Sequence, residues 1–287
     1  MIVPGQFNLL KVTEQLPMGL TAESDDGSSA FIPYQQRQFD IGESINVFVY
    51  YNQDYALEGT LLSPKITNGQ FASLQVVSIV KPGAFLEWGI KPDLFLPKRN
   101  MHSQIAVNSP VVVRLIEDDK RSQLIADSKI EAYLTPFTDK SYPDREISLL
   151  VYAKTPLGYK ALFSCDTAET SDQTRTFHYG MLYHNELPTK IRIGQSINGF
   201  IKNIREDGKV DLRLHRHNKA ERNSLAESIL EDLRAHGGIS SLTDKSTPEQ
   251  IYQRFKTSKG AYKKALGALY KDNKIIIQKD LIKLVAF

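Results

Sequence analysis

The residues of this chain best suited to chemistry are rings and cations. Phe85 and Trp88 stand three apart, Phe95 comes seven later, and Lys98 and Arg99 follow it almost at once. Further on, Tyr159 precedes Lys160, Tyr183 precedes His184, and Arg205, Lys209 and Arg213 recur at a spacing of four. Outward rings offer faces on which nucleobases stack, and lysines and arginines beside them can meet phosphate oxygens. Arg121, in a polar turn, is a further candidate cation. A second set, Lys256, Lys259, Lys263, Lys264, Lys271 and Lys274, lies near the end of the chain. A place in the core is the alternative for Phe85, and a solvated face or a docking surface for an acidic partner is the alternative for the lysines.

Catalytic groupings are poor by comparison. His215 and His217 are two apart at a strand end and could point the same way toward a metal. No acidic or cysteine partner at suitable spacing accompanies them, so phosphate contact or solvent exposure fits them better. Cys165 is the only cysteine, which excludes an internal disulfide and a cysteine-based metal cluster. Glycine-rich phosphate loops are absent. Asp25-Asp26 and Asp118-Asp119 read as turns. No enzymatic activity, metal or cofactor is expected.

The elements that must position the rings are strands. Ile79–Ile90 followed by Asp93–Pro97 reads as two strands joined by a short turn, rich in β-forming residues. Gly83 sits where a strand of a small barrel must bend sharply. Strand patterns continue on both sides, and two short stretches match closely. Ile41-Gly42-Glu43-Ser44-Ile45-Asn46 and Ile193-Gly194-Gln195-Ser196-Ile197-Asn198 share five of six residues, and a strand, a turn and a strand follow each. Such recurrence indicates an array of one module. The expected units are barrels at 1–62, 70–134 and 145–214, with Ser63–Gly69 and Thr135–Asp144 as linkers. The pattern then turns helical. Leu225, Ile229 and Leu233 form a stripe, Thr247-Pro248-Glu249-Gln250 is a helix start with a capping box, and Ser258 opens a third helix with Ala261, Ala265, Leu266 and Leu269 inward. A terminal hairpin over Lys274–Val285 completes a winged-helix layout at 220–287. The fold class is therefore mainly β with α: three tandem five-stranded OB-type barrels and a C-terminal winged helix.

Composition agrees with a folded chain: 41% hydrophobic and 24% charged among 287 residues, with a net charge of +3. No apolar run approaches the roughly 20 residues of a membrane span, and no membrane partner is expected. The opening residues lack a basic segment followed by an apolar core, so a cytoplasmic protein is expected. Charge is unevenly spread. Residues 1–66 hold three Lys/Arg against eight Asp/Glu, net −5, whereas residues 215–287 hold fourteen against eight, net +6. An anionic partner is expected at the basic end.

The pattern Gly83-Ala84-Phe85-Leu86, a gap, then Asp93-Leu94-Phe95-Leu96-Pro97 resembles the S-one RNA-binding domain, a five-stranded OB-type barrel. Gly158-Tyr159-Lys160-Ala161 takes the corresponding place in the third unit, and Gly180–Glu186 resembles the family's segment around its base-stacking histidine, a position occupied here by Tyr183. Lys160 replaces the family's second stacking phenylalanine by a charge. In the middle unit Phe85 matches that phenylalanine, but Pro82 replaces another ring and Leu96 the histidine. Three such barrels and a winged helix together resemble the bacterial conserved virulence factor B family. The resemblance implies a non-catalytic regulator of gene expression, connected with virulence, that binds single-stranded RNA. The alternatives are a DNA-binding transcription regulator using its winged helix, or an adaptor that binds protein on the ribosome or a ribonuclease complex. RNA affinity is expected mainly in residues 137–287.

Overall fold

The computed structural model describes residues 1–33, 39–102, 104–118, 121–139, 146–165, 175–187, 190–214, 219–278 and 280–285, with backbone alone for 219–224. His215, His217, Asp119 and the Arg216 end of the chain segment before the first helix lie outside the described residues. The chain packs into two compact units. One holds residues 1–135 with parts of 164–177 and 193–195, and the other holds 136–163, 178–192 and 196–287.

The first unit begins with five antiparallel-rich strands: β1 (Gln6–Leu16), β2 (Gly19–Glu23), β3 (Ser29–Pro33), β4 (Ser44–Tyr51) and β5 (Leu57–Thr60). They close into a barrel in the order β1-β2-β3-β5-β4, sealed by the parallel pairing of Phe31 with Glu58. Alternation decides what goes inside. Leu10, Val12, Leu20, Ala22, Ile32, Ile45, Val47 and Val49 form the barrel core. A second sheet follows with β6 (Phe71–Val80), β7 (Gly83–Glu87), β8 (Leu94–Pro97), β9 (Pro110–Asp118) and β10 (Gln123–Asp127), ordered β10-β9-β6-β7-β8.

This second sheet corrects one expectation, because it does not close. No strand pairing joins β8 to β10. After β8 the chain makes a 3-10 turn, Lys98–Asn100, and Asn100 spans the gap. Its side-chain amide donates to the Ala126 carbonyl at 3.3 Å, and its carbonyl accepts from the Ser128 amide at 3.0 Å. The expected linker Ser63–Gly69 is also not a free connector. Ile66 is buried beside Leu74, Leu86 and Trp88, and the Asn68 amide donates to the Gly5 carbonyl at 2.7 Å. Phe48 and Tyr50 of β4 belong to that same cluster, so the two sheets share apolar packing.

In the second unit β11 (Glu146–Lys154), β12 (Gly158–Phe163), β13 (His178–Tyr183), β14 (Ser196–Ile204) and β15 (Val210–Arg213) close into a barrel in the order β11-β12-β13-β15-β14. Then come α1 (Lys219–Ala235), β16 (Ile239–Ser240), α2 (Pro248–Phe255), α3 (Lys259–Lys271), β17 (Ile275–Ile277) and β18 (Ile282–Leu284), with the sheet ordered β16-β18-β17. The α2 start has the expected form: Thr247 caps it, Pro248 opens it and Gln250 closes a capping box. Ser258 caps α3. The inward stripe of α3 is Tyr262, Ala265, Leu266 and Leu269. Ala261, expected inside, is exposed, because the i, i+3, i+4, i+7 spacing is met by Tyr262 and not by its neighbour. Tyr262 stacks on Phe255 at 5.3 Å and donates its hydroxyl to the Leu242 carbonyl at 3.0 Å.

Candidate nucleic-acid interface

Alternation on β7 separates the candidate rings of the middle sheet. Ala84, Leu86 and, just beyond the strand, Trp88 face inward and are buried, whereas Phe85 and Glu87 face out. Phe85 lies directly across from Phe95 of β8, and the two half-exposed rings meet with centroids 5.4 Å apart. Trp88 is a correction to the sequence reading. Its ring is 3% exposed, packs edge-on to Phe48 at 5.8 Å and donates its indole N–H to the Pro92 carbonyl at 2.8 Å. It is a core residue and presents no face to a base. Lys98 and Arg99 are exposed in the 3-10 turn after β8, and the Lys98 amide donates to the Pro82 carbonyl at 2.8 Å. Arg99 is tied to Asp118 at 2.6 Å, while Arg121 is exposed in the turn beyond.

The third barrel brings more of the candidates together. Lys160 pairs with Met181 across β12 and β13, and Met181 pairs with Asp211 of β15. These three form one rung on the outer surface, with Tyr179 and Tyr183 on β13 and Arg213 on β15 sharing its parity. All of them are partly exposed. Close strand approach makes the surface possible. A Cβ on Gly180 would lie 2.6 Å from the Leu212 side chain, and one on Gly158 would lie 2.0 Å from the Leu182 carbonyl oxygen.

Polar ties hold this surface in place. Arg205 reaches both oxygens of Asp211, with its Nη2 at 2.8 Å, and also donates to the Tyr183 hydroxyl. Tyr183 in turn donates to Asp211 at 3.1 Å. Partial burial and that carboxylate hold the Tyr183 hydroxyl above the ordinary phenol pKa. Lys160 lies 5.7 Å from the centroid of the Tyr179 ring, a cation–π contact, and Lys209 pairs with Asp207 at 2.7 Å. Tyr159 is the second correction. It pairs with Leu182 on the inward parity, is 7% exposed, and serves as a support on which the exposed His184 ring stands edge-on at 5.2 Å. Tyr179 was missed by the sequence reading, although counting back by twos from Tyr183 places it on the same face.

In the winged helix, Lys263, Lys264, Lys271 and Lys274 are exposed and Lys259 is half-buried. Lys263 lies 3.9 Å from Asp244, and Lys256 lies 5.5 Å from the centroid of the Tyr252 ring. The N-terminal end of α3 packs against the 3-10 turn His184–Glu186 of the third barrel, with Gly260 facing the Asn185 carbonyl. Among the described residues no cluster of three or more His, Cys, Asp or Glu is placed to hold a metal, and no helix is long and apolar enough to cross a membrane.

Comparison with known proteins bears on these surfaces. Residues 4–62 match the S1 domain family, and residues 227–284 match the CvfB-like winged helix domain family. The chain carries an S1 domain and a C-terminal winged helix domain. Both are non-enzymatic domain types that point to nucleic-acid binding. Over most of its length the chain is similar to the protein YitL of Bacillus subtilis, with 26% identity over 95% of this chain and 90% of that one. It is also similar to Conserved virulence factor B of Staphylococcus saprophyticus, with 24% identity over 86% of this chain and 81% of that one. A solved structure from Streptococcus pneumoniae, described as a multidomain protein with nucleic acid binding domains, is 22% identical over 98% of each chain, with a TM-score of 0.43. The S1 match falls on the first barrel, which has the strand pattern but the fewest candidate contact residues.

Proposed function

We propose that the protein binds single-stranded RNA without cleaving it and acts as a regulator of gene expression, of the kind the name of the virulence-factor relatives implies. The observation that carries this reading is the outer face of the third barrel. Tyr179, Met181 and Tyr183 lie along one strand, with Lys160, Arg205 and Lys209 around them. Rings on a sheet with cations at their edges suit unpaired bases and a phosphate backbone, since every base has a face that can stack. The half-exposed Phe85–Phe95 pair supplies a second stacking position. The basic winged helix supplies charge.

Duplex DNA fits less well. Recognition helices of this type meet base edges through their N-terminal residues. Here that end of α3 is turned toward Asn185 of the third barrel. The test is affinity for a single-stranded RNA and for a duplex DNA of equal length, each at two salt concentrations. Tighter binding to RNA at both is expected, with affinity falling as salt rises. Equal or tighter binding to the duplex would overturn the reading, and so would cleavage of RNA that copurifies with the protein through repeated purification.

A further inference from the structure

An acid stands in the middle of a face that should attract phosphate. Asp211 shares the rung of Lys160 and Met181, where its charge opposes a polyanion. Its side chain is 13% exposed, against 40% for Arg205. Oδ1 accepts from the Tyr183 hydroxyl at 3.1 Å and from Arg205 Nη2 at 2.8 Å, while Arg205 Nε lies 3.1 Å from Oδ1 and 3.2 Å from Oδ2. Arg205 itself sits at a tight turn, where its amide donates to the Lys209 carbonyl at 2.9 Å. Its guanidinium also lies 5.9 Å from the centroid of the Tyr183 ring.

We propose that Asp211 is a positioning residue for RNA: it fixes the Tyr183 ring and the Arg205 guanidinium in the outer face, at the expense of its own repulsion of phosphate. The inference rests on the reading of this face as an RNA surface. Arginine loses much rotamer freedom when it is held in one place, and a carboxylate engaging it through two nitrogens imposes that order before the ligand arrives. A ring fixed through its hydroxyl likewise loses no freedom when a base stacks on it. Two accounts of Asp211 therefore differ in sign. If it were only a charge on the surface, its removal would tighten RNA binding. If it is a positioning residue, its removal weakens binding although the face becomes more positive.

The experiment measures binding of the full chain to a labelled single-stranded oligouridylate by fluorescence anisotropy at two salt concentrations. Asp211→Asn keeps the shape and removes the charge. The expected result is a Kd raised about tenfold, the scale of a lost hydrogen bond to a charged group. In an Arg205→Gln/Tyr183→Phe background the same change should have no further weakening effect, because the groups it positions are gone. A purely structural role would weaken both backgrounds alike. If Asp211→Asn binds as tightly as the parent chain, or more tightly, the inference is overturned. Should Asp211→Asn fail to fold, Tyr183→Phe alone decides: it keeps ring and charges and removes the hydroxyl's two ties, to Asp211 and from Arg205, and several-fold weaker binding is expected, whereas unchanged affinity refutes the role. Failure of the unmodified chain to bind the oligonucleotide would remove the RNA reading, and this inference with it.

Discussion

Phe85→Ala separates stacking from core packing, because the structure sets the two effects on different scales. The ring is half-exposed and touches Phe95 across the strand pair, with centroids 5.4 Å apart. Complete truncation of a buried phenylalanine costs about 3–5 kcal/mol, and an aromatic pair contributes about 0.5–1.5 kcal/mol of its own. A ring that water already reaches on one side should therefore cost about 1–2 kcal/mol of stability. For a chain of this size that lowers the melting temperature by about 2–8 °C. Loss of one base-stacking contact costs roughly 1–3 kcal/mol of binding, a Kd raised between about 5-fold and 150-fold. No charge is removed, so the dependence of affinity on salt should stay as it was. Thermal melting beside an RNA titration at two salt concentrations measures all three quantities. A melting temperature lowered by about 15 °C or more with Kd unchanged would make Phe85 a core residue and refute the stacking argument.

Two further outcomes follow from the geometry. Gly158→Ala places a Cβ 2.0 Å from the Leu182 carbonyl oxygen and 2.9 Å from the Tyr183 Cα, so backbone must move, and a loss of about 1–3 kcal/mol is expected in urea unfolding; an unchanged midpoint would show that the strand pair yields freely. Tyr51 is pushed up to about 12, chiefly by burial and then by its hydrogen bond to Glu117 at 2.7 Å. A raised folded-state phenol pKa stabilises the protein below the unfolded value of about 10 and that stability is lost as pH climbs through the folded value. The urea midpoint should accordingly fall between about pH 10 and 12, less steeply in Tyr51→Phe, and identical slopes in the two proteins would disprove the contribution.

Much of this was readable from local pattern, and the exceptions have physical causes. The capping box at Thr247 and the cap at Ser258 involve residues three apart, so the sequence displays them directly. The outward position of Phe85 follows from a period of two. That same period condemns Trp88, which shares the parity of Leu86, and Tyr159, which shares that of Leu182 through its pairing. Ring chemistry suits both to the surface, but strand parity points them inward. Other features depend on residues distant in sequence. Ile66 reads as one apolar residue in a polar stretch, and only the fold brings it beside Leu74 and Trp88. The gap between β8 and β10 is bridged by Asn100 to residues some 26 positions away. The Tyr183–Arg205–Asp211 cluster draws on β13, β15 and the turn after β14, and nothing in its spacing announces it.

The repeat itself explains why the barrels need not act alike. Gly19 pairs with Pro33, Gly83 with Pro97 and Gly158 with Tyr183, each at the start of the second strand of its repeat. In every case a Cβ there would lie within 2.4 Å of a carbonyl oxygen on the partner strand, so the glycine belongs to the frame. Two residues further on, the frame presents an outward pair, and its chemistry changes from repeat to repeat. Thr21 faces Phe31, Phe85 faces Phe95, and Lys160 faces Met181. A repeated strand register therefore carries one ring in the first barrel, two in the middle sheet and a cation in the third barrel. The surrounding charge changes as well: the first 66 residues carry three Lys/Arg against eight Asp/Glu and would repel a phosphate backbone. On the RNA reading, then, the middle sheet offers stacking, the third barrel combines rings with cations, and the first barrel serves the molecule through its packing with the middle sheet.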